Sequence, residues 1–208
     1  MSLMRDQTTV MHDYNKVNYN SKYHFRNIEC NIHLGRDCEK NSLDSGHEEW
    51  AEIKGMISRT IKERNDLEKQ GIEAFDEAYI LSFKAGILDR LDKAEAKNKK
   101  DASRYFADDE RRLINRIRDY YDNTFAWLGD FSLPHSNNLS ERSLRSVKSH
   151  CKISGQFESV EYARYHARIK TYLETCRRND VNEICALKRL SEGNPVSVEE
   201  IFGESKII

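Results

Sequence analysis

Between Trp50 and Leu128 the apolar residues recur at helical spacing, and proline is absent from the whole stretch. Trp50, Ile53, Ile57 and Ile61, with Arg64, mark one helix that breaks at Gln70-Gly71. Phe75, Tyr79, Phe83, Ile87 and Leu91 mark a second, ending in the charged run from Ala94 to Lys100. Leu113, Ile117, Tyr121, Phe125 and Leu128 mark a third, closed by Gly129-Asp130. Apolar residues at i, i+3, i+4 and i+7 put one face of each helix into a shared core, so a small helical bundle is expected. The run Lys97-Asn98-Lys99-Lys100 reads most simply as a solvated loop between helices.

The flanking segments differ. Thr8-Thr9-Val10-Met11-His12-Asp13 is rich in β-branched residues and ends in an acid, the signature of a short strand with a carboxylate at its C-terminal end. Ligands of α/β sheets gather outside the carboxyl ends of strands, which makes Asp13 a candidate for chemistry; capping the next helix is the simpler role. Tyr14, Tyr19, Tyr23 and Phe25 follow in a polar stretch expected to be helical. Ile28 to Leu34 alternates apolar and polar, which argues for a second strand. Cys30 and His33 stand in C-x-x-H spacing with His24 and Cys38 nearby. That is an incomplete zinc set, and a histidine packed beside Asp13 at the sheet end is the preferred expectation.

Phe131 to Pro134 is expected to be extended, because proline biases its predecessor away from helix. A helix then starts near Ser136 or Asn137. On it Glu141, Arg145, Lys148 and Lys152 share one face, and Leu144, Val147 and Cys151 form an apolar face beside it. A lone carboxylate heading a basic stripe suits a metal ligand with cations placed for a polyanion; an ordinary solvated amphipathic helix explains the same spacing. Ile153 to Phe157 turns at Gly155. Glu161 to Arg178 is amphipathic, with Tyr162, Tyr165, His166, Ile169, Leu173 and Cys176 expected to face inward. Val181 to Leu190 forms a last packed helix, and Ser197-Val198-Glu199-Glu200 has capping-box spacing.

Charge sharpens the contrast between regions. The 34 Lys and Arg nearly cancel 35 Asp and Glu. Yet residues 44–77 hold ten acids against five bases, and residues 141–178 hold nine bases against four acids. A basic segment within a neutral chain points to a localised polyanion site. Five scattered cysteines suit free thiols in a reducing cytoplasm, and no apolar run reaches membrane-spanning length.

The segment Asn137-Asn138-Leu139-Ser140-Glu141-Arg142-Ser143-Leu144-Arg145, followed by Val147-Lys148 and Lys152-Ile153-Ser154-Gly155-Gln156-Phe157-Glu158-Ser159, resembles the C-terminal signature of insertion-sequence sixty-six (IS66) family transposases. That signature runs N-N-x-A-E-R-x-L-R, then a lysine and K-x-S-G-x-F-x-S. Met11-His12-Asp13-Tyr14 and Cys30-Asn31-Ile32-His33-Leu34-Gly35-Arg36 resemble the family's H-D and C-N-x-H-L-x-R segments, and Tyr162 to Arg164 and Thr175 to Arg178 also resemble it.

The resemblance implies a bacterial mobile-element enzyme that cleaves DNA and transfers strands. Its ribonuclease-H-like core has two Asp and one Glu holding two Mg²⁺ or Mn²⁺ ions. Asp13 matches the second Asp and Glu141 the Glu. Arg142, Arg145, Lys148 and Lys152, with Arg36, would meet DNA phosphates, supported by His33, Cys30, Asn137 and Asn138.

The fold class expected is α/β but predominantly helical, with two strands of the core retained. Its expected parts are residues 1–43 (strand ending at Asp13, strand 27–34), a helical insertion over 44–130, a returning core segment with the Glu141 helix over 131–160, and C-terminal helices over 161–208. Met1-Ser2-Leu3 resembles an expression scar. Nothing supplies the first Asp, since Asp6 shares the short segment of Asp13. The expectation is therefore a C-terminal portion, inactive alone, whose strands have lost sheet partners and are open to pairing between chains. DNA and other copies of the chain are the expected partners, with no membrane. The alternative is a catalytically dead remnant that acts as a DNA-binding or helical interaction module.

Overall fold

The computed structural model describes residues 8–20 and 25–203. Tyr23, His24 and Asp6 lie outside the described residues. The chain divides into two compact units, residues 1–138 and 139–208, each considered by itself.

In the first unit, β1 (Thr9–His12) lies parallel to β2 (Arg26–Glu29), with Thr9 opposite Arg26 and His12 opposite Glu29. Among the described residues of the link between them, Lys16–Tyr19 forms a short 3₁₀ turn capped by the Asn15 side chain, where a helix was expected. The second strand is also shorter than its alternation suggests. It ends at Glu29, and α1 (Asn31–Ser45) begins two residues later. The residues of 28–34 satisfy both periods locally, and the longer pattern decides. Leu34, Cys38 and Asn41 repeat at helical spacing and are buried, and the Asn31 side chain donates to the carbonyls of Glu29 (3.1 Å) and Thr124 (2.7 Å).

Helix α1 stops where Gly46 takes a left-handed conformation (φ +72°), its N–H closing on the Ser42 carbonyl. Then come α2 (Glu48–Glu68), α3 (Glu77–Lys100), α4 (Ala107–Asp119) and the single turn α5 (Tyr121–Thr124). Trp50, Ile53 and Ile57 of α2 meet Phe83, Ile87 and Leu91 of α3 and Leu113, Ile114 and Ile117 of α4 in one core, which Leu34 and Cys38 of α1 complete. The third sequence run keeps its apolar face buried but not its continuity. The helix breaks at Tyr120, and Tyr121, Phe125 and Leu128 enter the core from α5 and the 3₁₀ turn Ala126–Leu128.

The run Lys97–Lys100 is the last turn of α3, not a loop. Lys97, Lys99 and Lys100 sit where the helix carries partial negative charge. Asn98 points inward and donates to the Ala107 carbonyl (2.9 Å) and to Glu110 (2.7 Å). Glu110 is fully buried and also accepts from Trp50 Nε1 (2.6 Å) and lies 2.7 Å from His47 Nδ1, so its carboxylate is met on both oxygens. Residues 131–134 turn rather than extend. The Leu133 N–H bonds the Asp130 carbonyl (3.2 Å), and the Asp130 side chain accepts from the Ser132 N–H (2.9 Å) and hydroxyl (2.6 Å).

The second unit begins at Leu139, the second residue of α6 (Asn138–Ser154), and continues through α7 (Val160–Arg178), α8 (Glu183–Ser191) and α9 (Val198–Phe202). Gly155 makes the expected turn at φ +77°. Ser159 caps α7, and Ser197 and Glu200 form the expected capping box on α9. Its core is small: Cys176, Ala186 and Val196, with Tyr172, Leu173, Val181 and Ile201 against them. Two expectations fail here. Tyr162, Tyr165 and Ile169 are exposed rather than facing inward. No residue of α6 is buried, and Leu144 is 56% exposed although its face was expected to pack. Leu144 and Val147 instead line an open groove of about 400 Å³ shared with Ala167 and Thr171 of α7. The α6 and α7 side chains that reach across it are polar: Arg178 donates to the Ser143 hydroxyl (2.6 Å).

Candidate metal and nucleic-acid site

Two carboxylates stand at the carboxyl ends of the two parallel strands, and their surroundings separate them. Glu29, the last residue of β2, is 1% exposed. It accepts from Tyr19 (2.6 Å) and from Arg116 Nε (3.0 Å), with the Thr124 hydroxyl at 3.4 Å. Arg116 also reaches Asp37 (2.6 Å) and lies over the Tyr14 ring. Burial and the neighbouring Glu29 push the Tyr19 phenol well above its ordinary range. Glu29 is thus paired inside the protein with Arg116 and Tyr19, and nothing in its sequence context distinguished it from a solvated strand position.

Asp13, just past β1, is its counterpart at the surface, with a side chain 51% exposed. Its Oδ1 takes two contacts, His33 Nδ1 at 2.8 Å and Asn137 Nδ2 at 2.7 Å. His33 comes from the first turn of α1, so the expected histidine beside Asp13 is present, delivered by a helix rather than a strand. Arg36, one turn on, approaches His33 Nε2 at 3.4 Å. His33 thus stands between the Asp13 carboxylate and the Arg36 guanidinium.

Asn137 ties the start of the N-N-L-S-E-R segment to the same place. Its backbone N–H donates to Cys30 Sγ (3.4 Å), and the Asn31 N–H donates to the His135 carbonyl (2.9 Å). The His135 ring lies 3.2 Å from Arg64, which also donates to the Phe131 carbonyl. Burial, then the Arg64 charge, lowers the His135 pKa. The H-D, C-N-x-H and N-N motifs, distant in sequence, therefore meet at one strand end. Cys38 does not join them: it is buried in the core, where burial pushes its thiol up to about 12.

On α6, Glu141 occupies the first turn and is partly buried, while Asn138, Arg142, Arg145, Lys148 and Lys152 are exposed. Among the described residues none of these four cations pairs with a carboxylate. The sequence model of the transposase IS66 family matches residues 2–165, most of the chain.

The chain belongs to the IS66 transposase family. No match is found among curated proteins or solved structures. Family membership carries a transposase-like function in general, DNA as the partner and a dependence on divalent metal. Among the described residues no helix is long and apolar enough to cross a membrane.

Proposed function

We propose that this family member serves DNA cleavage and strand transfer by two-metal phosphoryl transfer on a ribonuclease-H-like core, with Asp13 and Glu141 as metal-binding carboxylates. The observation that carries this reading is the Asn137–Asp13 hydrogen bond of 2.7 Å, which joins the family's aspartate motif to the start of its glutamate motif. Asp13 fits a hard cation. Both contacts that orient it fall on Oδ1, leaving Oδ2 on a half-exposed side chain. Asn137 Oδ1 adds a buried amide oxygen without a hydrogen bond among the described residues. A divalent metal bound there would activate the attacking hydroxyl and stabilise the leaving oxygen.

The chain's own residues do the rest. His33 and Asn137 hold the Asp13 carboxylate in one orientation. Arg142, Arg145, Lys148 and Lys152, with Arg36, attract the DNA backbone without reading bases, so binding is salt-dependent and weakly sequence-specific. Metal chemistry of this kind needs a third carboxylate. With Asp13 and Glu141 the two carboxylates assigned here, the chain alone is expected to bind DNA without transferring strands, and the active enzyme assembles with other copies on DNA.

The test is Mn²⁺ binding, followed by electron paramagnetic resonance with duplex DNA present, in the wild type and in Asp13→Asn and Glu141→Gln. The reading expects each substitution to weaken Mn²⁺ binding while DNA affinity stays within about threefold, since the phosphate contacts remain. Unchanged Mn²⁺ affinity in both variants identifies a DNA-binding remnant instead. Robust Mg²⁺-dependent cleavage by the wild-type chain alone overturns the expectation that it is inactive by itself.

A further inference from the structure

Asp13, Cys30 and His33 form a metal-ligand set of a different kind from a carboxylate pair. A carboxylate oxygen, the Cys30 sulfur and a His33 ring nitrogen all lie within 4.8 Å of one another. Among the described residues no other group of three such side chains converges this way. We infer that these residues bind one thiophilic divalent cation of the Zn²⁺ class, with its fourth position open to water or an anionic oxygen.

Four features argue for it. Cys30 is the residue just before α1 and His33 lies in its first turn, so C-x-x-H spacing on a helix start aims both donors the same way. Tetrahedral zinc with sulfur at about 2.3 Å and nitrogen or oxygen at about 2.0–2.1 Å places its ligand atoms roughly 3.3–3.6 Å apart. Closing from the present spacing thus takes side-chain rotation rather than backbone movement. The Asn137 amide N–H already points at the sulfur (3.4 Å), the kind of outer contact that steadies a metal-bound thiolate. Asp13 is half exposed and supplies the entry path, whereas Cys30 is fully buried and shielded from oxidation.

Loading has a definite proton balance. Cys30 releases its thiol proton to solvent as the sulfur–metal bond forms. His33 ligates through one ring nitrogen and carries its proton on the other. Arg36, now 3.4 Å from Nε2, must turn away, and being exposed it is able to do so. Asp13 exchanges the His33 contact for the ion and keeps that of Asn137. Conversion of the thiol to the bound thiolate accounts for one proton released per ion. A soft ion here takes the carboxylate that a hard ion would need, so Zn²⁺ and Mg²⁺ oppose each other at Asp13.

The probe is Co²⁺, added to the full chain in a Cys151→Ser/Cys185→Ser background that removes the two exposed thiols. The expected result is a near-ultraviolet sulfur-to-cobalt charge-transfer band with intense tetrahedral visible bands, saturating at one equivalent and abolished by Zn²⁺. Cys30→Ser should lose the charge-transfer band. His33→Ala and Asp13→Asn should keep it but weaken affinity by at least about tenfold. Asp13→Asn, at a half-exposed position, guards against a Cys30→Ser chain that fails to fold. A weak octahedral spectrum without the sulfur band overturns the inference, as does a band that survives in folded Cys30→Ser. Mg²⁺ and Mn²⁺ give no such band, so failure here leaves the two-carboxylate reading intact.

Discussion

The two units use charge in opposite ways. In the first, cations are matched to acids: Lys97 with Glu49 (2.7 Å), Arg90 with Glu52 (2.9 Å), Arg118 with Glu95 and Asp92, and Arg116 buried against Glu29. In the second, Glu174 is matched by Arg177 and Arg178, which hold its carboxyl down to about 2, but the α6 cations are left to solvent. Paired charge fixes a fold, and unpaired charge of one sign is available to a polyanion. The bases of residues 141–178 that no carboxylate meets among the described residues are the four on α6 and Arg164, Arg168 and Lys170 on α7.

The contrast can be broken most directly at Glu29. Glu29→Ala removes the buried partner of Arg116 and leaves its guanidinium only the half-exposed Asp37, so urea unfolding should show a loss of about 3 kcal/mol. No exposed pair of the second unit should come near that, since such pairs are worth about 0–1 kcal/mol; Arg189→Ala, which parts Arg189 from Glu200, supplies the comparison. The reverse asymmetry is tested by Arg145→Ala/Lys148→Ala. Fluorescence anisotropy with duplex DNA should show the slope of log affinity against log salt falling by about 1.8, at about 0.9 per phosphate contact. Its thermal midpoint should not move; a stability loss above about 0.5 kcal/mol would place these side chains in the fold rather than on its DNA face.

Smaller effects sharpen the picture. Ser197→Ala removes one half of the α9 capping box and should cost about 1 kcal/mol, read as faster amide exchange confined to α9. Acid should weaken the first unit through His135. Its folded pKa is depressed, so the unfolded chain takes up the proton first. The stability His135 contributes is complete above its ordinary value of about 6.5 and declines as pH falls below it. A flat profile between neutral pH and about pH 5.5 in His135→Gln, against a sloping wild type, would confirm the source.

What the sequence discloses follows from how local each determinant is. The helices from Trp50 to Leu128 were legible because five-residue apolar stripes admit one period. The strand end at Asp13 was legible from its β-branched run, and the nearness of His33 from its motif. Residues 30–34 misled because both periods fit so short a window, and only the continuation through Cys38 and Asn41 decides. Lys97–Lys100 misled because its lysines masked Asn98, whose role depends on Glu110 twelve residues later. The exposed Leu144 face could not be foreseen, since an apolar stripe shows what a helix is able to bury and not what it meets. Glu29 was invisible as a buried ion because its partner Arg116 lies 87 residues away.

The fastening of residues 135–137 also bears on the order in which the protein folds. The Asn137 contacts to Cys30 and Asp13 span 107 and 124 residues. Closing loops of that length from an open chain costs more entropy than such bonds return, whereas α1 to α4 gain from contacts made within and between successive helices. The helical core is therefore expected to collapse first and draw the ends of the loop together. The carboxylate at β1 receives its orientation only at the close of folding, so mutations that slow core formation should delay metal competence by the same factor.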